Sequence, residues 1–343
     1  MASLEVRRGS SGPSFRVSWR LEDGRQRSKS FRSRAEAKTF LIELEASRLR
    51  GVVPDLSAGS ISLSEWSEDV LETLFLKPKT LENYRSLLRS RILPTFGHRR
   101  LTSISRREVQ AWVSQMALEV SPKRTRAAYG LLSQILDEAV AQQRLLRNPA
   151  QKVTLPRVMP RDIRPLTRDE LVAVAQASGR YEPLVLWLGL MGTRWAETVG
   201  LQWEQVRGEM VTIDSSLSEV NGQFHRVPTK TYAVRRLPIP ATVLDALPNR
   251  SDGLIFQTRF GNPLRGAKFR ADVFVPACQK AGVEPIRIHD LRHTCASLLI
   301  KGGANPKMVQ QWMGHQDVRM TLNTYTHLYT SDLEVLARQL DAA

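Results

Sequence analysis

The sequence predicts a multidomain, mainly α protein with small antiparallel sheets. An N-terminal three-stranded sheet plus helix comes first, then a four-helix bundle, then an α+β C-terminal domain. Three observations point there. At 343 residues the chain is two to three times the roughly 150 residues of a typical domain. Its hydrophobic period changes from two to about 3.6 residues near position 60. A proline-rich stretch without any period then separates the helical region from a mixed one.

In Ser14-Phe15-Arg16-Val17-Ser18-Trp19-Arg20 apolar and polar residues alternate, so Phe15, Val17 and Trp19 share one face and Arg16 and Arg20 the other. That is a half-buried strand with a basic outer face. Leu21-Glu22-Asp23-Gly24 carries turn chemistry, and residues 26–32 return as a strand. Ser33-Arg34-Ala35-Glu36 is a capping box opening a helix to about Arg50. Residues 1–55 therefore form one small module, whose arginine-bearing strand face suits a sheet laid in a DNA groove.

Residues 62–148 read as four helices. Ser62-Leu63-Ser64-Glu65 caps the first, which carries Leu63, Trp66, Val70 and Leu74 at helical spacing. The second carries Leu81, Tyr84, Leu87 and Leu88 and is expected to end before Pro94. The third opens at Ser105-Arg106-Arg107-Glu108, and the fourth starts at Ser121-Pro122 and is expected to run to about Leu146. Their polar faces hold Arg89, Arg91, Arg99, Arg100, Arg106, Arg107, Arg124 and Arg126. Residues 149–165 form a linker, and residues 166–343 a further domain. There Thr167-Arg168-Asp169-Glu170 caps a helix, residues 182–191 form a buried apolar segment, and residues 194–203 show helical spacing. Strands follow at 209–214 and 234–239 with a turn at Asn221-Gly222, then helices at 269–281, 289–301, 306–313 and 331–340.

Fifty Lys and Arg against 34 Asp and Glu leave a net charge of +16. The excess is +5 in residues 1–61, +7 in 62–158 and +4 in 159–343. Such a balance points to a polyanionic partner, nucleic acid foremost, because each neutralised phosphate releases condensed counterions. Other classes drop out. The longest apolar run, residues 183–192, is shorter than the roughly 20 residues a bilayer crossing needs. The start MASLEVRRGS lacks the apolar core of a secretory signal. Two cysteines, Cys278 and Cys295, are too few for a disulfide framework and fit a reducing cytoplasm. Neither a GxxxxGK[ST] loop nor a GxGxxG after a strand is present, so nucleotide hydrolysis has no visible seat.

His289-Asp290-Leu291-Arg292-His293 spaces two histidines like a zinc-protease motif, but Asp replaces the required Glu and no third ligand suggests itself. The same helix also brings His289 and Arg292, three apart, onto one face, where a proton-transfer group and a fixed charge can meet one phosphate. That reading gains from the rest of the domain: Met191-Gly192-Thr193-Arg194-Trp195-Ala196-Glu197, Thr229-Lys230-Thr231, Met313-Gly314-His315 and Thr324-Tyr325-Thr326-His327.

In this ordered series the chain resembles the tyrosine recombinases of the phage-integrase family, over nearly its whole length. Its markers are an arginine box, a lysine, HxxR, GH, and a tyrosine ten residues after that histidine. Met191 departs from the hydroxyl residue frequent at its place. The resemblance implies that Arg194, Lys230, His289, Arg292 and His315 surround a scissile phosphate, that Tyr325 is the nucleophile and that Glu197 is a supporting acid. It implies arm-type DNA binding by 1–55, core-site binding by 62–148 and catalysis by 166–343. It further implies a 3′-phosphotyrosine intermediate, a Holliday junction, a homotetramer on double-stranded DNA, and integration of phage or mobile-element DNA in a bacterial cytoplasm. No cofactor or metal is implied. Whether a host DNA-bending protein and a directionality factor take part stays open. So does the placement of the last helix, in cis or on a neighbouring protomer. The alternatives are a non-catalytic DNA-binding regulator of the same fold and, behind it, a zinc hydrolase using His289 and His293.

Overall fold

The structure, a computed structural model, describes residues 2–9, 12–20, 24–49, 58–159, 163–229, 234–249, 252–319, 321–322 and 325. Lys230 and the helix expected at 331–340 lie outside the described residues. The chain divides into two compact units, Met1–Pro160 and Arg161–Ala343.

In the first unit, β1 (Ser3–Gly9), β2 (Gly12–Arg20) and β3 (Gln26–Phe31) form an antiparallel sheet in that order, followed by α1 (Arg34–Leu49). The alternation in β2 places Val17 and Trp19 in a small core with Ala37, Phe40 and Leu44 of α1. Trp19 meets the Phe40 ring at 5.6 Å. Arg16, one residue out of phase, instead donates to Ser28 Oγ across the strand pair at 2.6 Å.

The helical part comprises α2 (Leu63–Thr73), α3 (Pro78–Leu87), α4 (Leu93–Phe96), α5 (Arg106–Glu119) and α6 (Pro122–Ala141). Both serine capping boxes form: Ser62 and Glu65 exchange bonds at α2, Ser105 and Glu108 at α5. The second helix does not stop before Pro94. A wider π-turn, Leu88–Ile92, joins α3 to α4, with the Leu93 N–H reaching Leu88 O, so the proline opens a new turn where its missing N–H costs nothing. The fourth expected helix ends at Ala141, short of Leu146, because Gln143 takes φ 61° and the N–H groups of Arg144 and Leu145 turn back onto Ala139 O. Trp66, Leu88, Ile92, Phe96, Trp112, Leu132 and Ile135 fill the core. Trp66 and Trp112 satisfy their indole N–H on Ile135 O and Arg91 O, at 3.0 and 3.1 Å.

Residues 149–159 have no regular structure, yet they are fastened to the bundle. Ala150 is buried, Tyr129 Oη donates to its carbonyl at 2.7 Å, and Gln110 both donates to and accepts from the Thr154 backbone. Arg106 and Arg126 donate to Lys152 O and Pro156 O. A proline-rich segment without internal ladder bonds thus finds its partners in side chains of α5 and α6.

The second unit begins with α7 (Arg168–Ala177) behind its Thr167–Glu170 box, and α8 (Glu182–Met191), apolar on all sides and buried through Leu184–Gly189. The stretch expected as one helix over 194–203 holds only α9 (Trp195–Thr198) and a 3-10 turn at Trp203–Gln205. Next come β4 (Val206–Arg207), β5 (Met210–Ile213), β6 (Ser215–Val220), β7 (Gln223–Pro228) and β8 (Arg235–Pro238). Strands β4, β5 and β8 make one sheet, while β6 and β7 make a separate hairpin. The hairpin turns through Asn221 and Gly222, both with positive φ. Next in the second unit come α10 (Ala241–Ala246), α11 (Gly266–Phe269), α12 (Val275–Lys280), α13 (Asp290–Lys301) and α14 (Pro306–Met313). Another π-turn, Arg270–Phe274, precedes Pro276 of α12. Among the described residues no helix is long and apolar enough to cross a membrane.

Replacing Ser105 by Ala removes the cap of α5. The expected result is a loss of about 1 kcal/mol in the stability of the first unit, read as a lower urea midpoint; an unchanged midpoint would show the cap idle.

Candidate active site

Two helix ends create the pocket. α8 stops at Gly192 and α14 at Gly314, each in the left-handed region with φ 63° and 64°. Glycine is required at both. A Cβ on Gly192 would lie 2.8 Å from Cys295 Sγ and from Met313 Sδ, and one on Gly314 would lie 2.9 Å from Arg235 Nη1. The carbonyls at these ends face inward. Arg292, in the first turn of α13 and 4% exposed, donates to Gly192 O and to Met313 O. Arg194, the N-cap residue of α9, donates to Gly314 O at 3.3 Å. Both guanidiniums thus rest on C-terminal carbonyls, whose partial negative charge attracts them without cancelling them.

Glu197 lies beneath, 2% exposed. It accepts from the Arg194 backbone N–H at 2.9 Å, from Arg194 Nη1 at 2.8 Å and from Arg235 Nη2 at 2.6 Å. Burial alone would raise the Glu197 pKa, but hydrogen bonding and charge from Arg235, then Arg194, hold it at about 2. The backbone of Arg194 is fixed by a buried chain: Trp187 Nε1 donates to Thr193 Oγ1, that hydroxyl meets Thr198 Oγ1 at 2.7 Å, and Thr198 Oγ1 donates to Arg194 O.

The histidines occupy this cationic surrounding. Burial, then Arg292, lowers the pKa of His289. The same two causes bring His315 to about 4, and its Nδ1 lies 2.8 Å from Thr321 Oγ1. Burial lowers Arg292 itself to about 10, with Arg194 adding to the shift. Tyr325 is 3% exposed, packed among Cys295, Ala296, Ile300, Val309 and Met313, and burial raises its pKa. Its hydroxyl lies 2.6 Å from Nδ1 of His293, not of His289.

Five of the six residues singled out from sequence, Arg194, His289, Arg292, His315 and Tyr325, are therefore linked through shared carbonyls, rings and charges in this one unit; Lys230 lies outside the described residues. Two further contributors went unassigned. Arg235 starts β8 on the face of buried Leu237, so its period-two partner marks it as inward-facing while Arg236 points out. His293 follows His289 by four residues, a spacing that in the sequence suggests a metal clamp. The two imidazoles meet edge to face at 5.3 Å, and the Asp290 carboxylate is taken by Arg287 at 2.6 Å. Among the described residues, no group of three His, Cys, Asp or Glu side chains is placed to hold a metal ion.

A pocket with two anchored arginines, three histidines and a tyrosine is built for an anionic ester and a hydroxyl nucleophile. Residues 165–332 match the phage integrase family, and residues 63–117 match the phage integrase N-terminal SAM-like domain. The chain belongs to the phage integrase family of tyrosine recombinases. The putative prophage phiRv2 integrase of Mycobacterium tuberculosis (strain CDC 1551 / Oshkosh) is 29% identical over 283 residues, covering 77% of this chain and 73% of that protein. The ICEBs1 integrase of Bacillus subtilis (strain 168) is 26% identical over 293 residues, covering 77% and 78%. The fold is that of the Tn1549 transposon integrase solved with a circular intermediate DNA, with TM-score 0.70, 19% identity and coverage of 81% of this chain and 100% of that one. The lambda integrase tetramer bound to a Holliday junction gives TM-score 0.61 at 19% identity, covering 88% and 89%.

Acid should destabilise this unit in two stages. His293 and His315, each at about 4 when folded against an ordinary 6.5, bind protons more readily unfolded, so stability falls as pH drops from about 6.5 to 4. Glu197 stabilises fully above its ordinary 4.5 and loses that contribution as pH falls toward about 2. Glu197→Gln should cost about 3 kcal/mol at pH 7 and erase only the second stage of a melting-temperature profile. An unchanged lower stage would contradict the shared carboxylate.

Proposed function

We propose that the protein is a site-specific DNA recombinase in which Tyr325 attacks a DNA phosphodiester, and that it integrates phage or other mobile-element DNA into a bacterial chromosome. The observation that carries the reading is the pair of guanidiniums, Arg194 and Arg292, fixed on helix-end carbonyls in the pocket that holds the Tyr325 hydroxyl. A phosphodiester repels nucleophiles by its charge, and its transition state gathers more charge on the nonbridging oxygens. Arg194, Arg292 and the ring N–H groups of His289 and His315 offset it. As the Tyr325 oxygen bonds to phosphorus, the bond to the 5′ oxygen breaks and a 3′-phosphotyrosine forms. By the family resemblance Lys230 gives that oxygen its proton. A 5′ hydroxyl from a second strand then reverses the step, so no nucleotide or metal is consumed.

The remaining work falls to the first unit. The outer face of β2, with Arg16 and Arg20, suits arm-type sites, and the helical part suits the core site. Arg89, Arg100, Arg107 and Arg124 are exposed, whereas Arg91 and Arg99 are half-buried and paired with Glu119 and Glu108. The lambda integrase relative is a tetramer on a Holliday junction, and the same assembly on DNA, in the cytoplasm of a bacterial host, is proposed here.

With a nicked core-site duplex in EDTA, wild type should form a denaturant-resistant protein–DNA adduct and Tyr325→Phe none. Equal adduct in both would overturn the nucleophile. The double variant Arg16→Gln/Arg20→Gln should weaken arm-site binding and lower its salt slope by roughly 2 while core-site cleavage persists; an unchanged slope would remove the sheet from that contact.

A further inference from the structure

We propose that His293, rather than His289, is the catalytic base: it takes the proton of Tyr325 during strand cleavage and returns it during rejoining. This rests on the reading of Tyr325 as the nucleophile. His289 is the N-cap residue of α13 and His293 lies one turn on, the two rings 5.3 Å apart and perpendicular. Among the described contacts only the His293 ring reaches the phenol, with Nδ1 2.6 Å from the Tyr325 oxygen and the rings 5.8 Å apart. That is already the distance of a proton-transfer pair. A phenol 3% exposed, walled by Cys295, Ile300, Val309 and Met313, has little access to water as an alternative acceptor.

The surroundings of His293 leave it uncharged at rest. The groups that act on it are His289, Asp290, Arg287 and Arg292, with His315 beyond α14 interacting with it as well, besides Tyr325 itself. Burial, then His289, holds its pKa at about 4, so in the resting site the ring is neutral, and its Nε2–H tautomer is the one that offers the phenol a bare lone pair on Nδ1. His289 feels Arg292, Arg287 and Asp290 as well, and in addition Arg194; with no bond to the phenol it is left to donate to a nonbridging oxygen. An arriving phosphodiester brings the negative charge this pocket lacks, which raises the basicity of both rings.

The step balances. Nδ1 takes the phenolic proton as the tyrosine oxygen bonds to phosphorus. The electron pair of the breaking P–O bond leaves on the 5′ oxygen, which takes a separate proton, from Lys230 in the reading above. The covalent intermediate carries a protonated His293. Attack by a new 5′ hydroxyl returns that proton to the phenol.

His293→Asn separates base from anchor, because the amide oxygen can accept from the phenol near the Nδ1 position but cannot hold the proton. In full-length protein on the nicked duplex, the variant should bind DNA within about threefold of wild type and form adduct at least about 100-fold more slowly at pH 7. Its rate should keep climbing with pH where wild type levels off, and imidazole should partly restore His293→Ala. Adduct formation within about threefold of wild type, with an unchanged pH profile, would reduce His293 to an anchor and overturn the proposal. Tyr325→Phe runs alongside: adduct there would sink the nucleophile itself, whereas no adduct there with an active His293→Asn would sink only the base.

Discussion

The second unit depends on one buried carboxylate shared by two guanidiniums. Glu197 is nearly sealed from solvent, and removing a carboxylate from water is costly unless its lone pairs are filled. Here they are filled from three directions: the Arg194 backbone, the Arg194 side chain and the Arg235 side chain. That arrangement ties α9 to β8, two elements that share no sheet. It also settles the sign of the pocket. One anion faces Arg194, Arg235 and Arg292, so the site is cationic at rest, and the neutrality of its histidines follows from burial first and from that excess second.

The second device is the use of helix C-termini as neutral anchors. A carboxylate of its own on Arg292 would hold it equally well and cancel the charge that the chemistry needs, and the carboxylate that Arg194 does meet, Glu197, is shared with Arg235. Gly192 O, Met313 O and Gly314 O instead offer oriented dipoles at the ends of α8 and α14. This explains why glycine must occupy both ends: the left-handed turn aims the carbonyl inward, and the lack of a Cβ lets Cys295, Met313 and Arg235 close over it. Strain and spacing at two backbone positions thereby aim the guanidiniums.

Much of this was legible in the sequence because local rules and tertiary structure agree. The boxes at Ser62, Ser105 and Thr167 cap helices where their spacing says, and the alternation of Phe15, Val17 and Trp19 builds the sheet face it implies. The ordered polar motifs identified the family and gathered five of the six residues taken from it. The misreadings have physical causes. Pro94 reads as a stop, but a π-turn supplies the register shift that lets a helix pass it. Residues 194–203 have helical spacing, yet the polar anchoring of Arg194 and Glu197 and the turn into β4 leave one helical turn. The linker's prolines read as free chain, and nothing local reveals that Gln110, Arg106, Arg126 and Tyr129 will hold its backbone. Arg235 has a period-two signal, but a charge on an apolar face becomes intelligible only once Glu197 is seen opposite it.

The pair His289 and His293 shows most sharply how spacing underdetermines chemistry. Four residues apart on one helix is the geometry of a metal clamp, and it is equally the geometry of two bases serving neighbouring atoms. What decides is the charge around the rings. A clamp needs anions to hold a cation, and here Asp290 is already engaged by Arg287 while Arg292 and Arg194 act on His289. A cation at that point would meet like charge; an anion would meet two arginines and two ring donors. The phenol closes the logic. Burial makes the Tyr325 proton harder to lose and Arg292 offsets only part of that, so the phenol needs a base at its oxygen, and the imidazole that touches it is His293. Separating the base from the phosphate ligands lets the site stay charged enough to draw DNA and neutral enough, at one nitrogen, to take a proton.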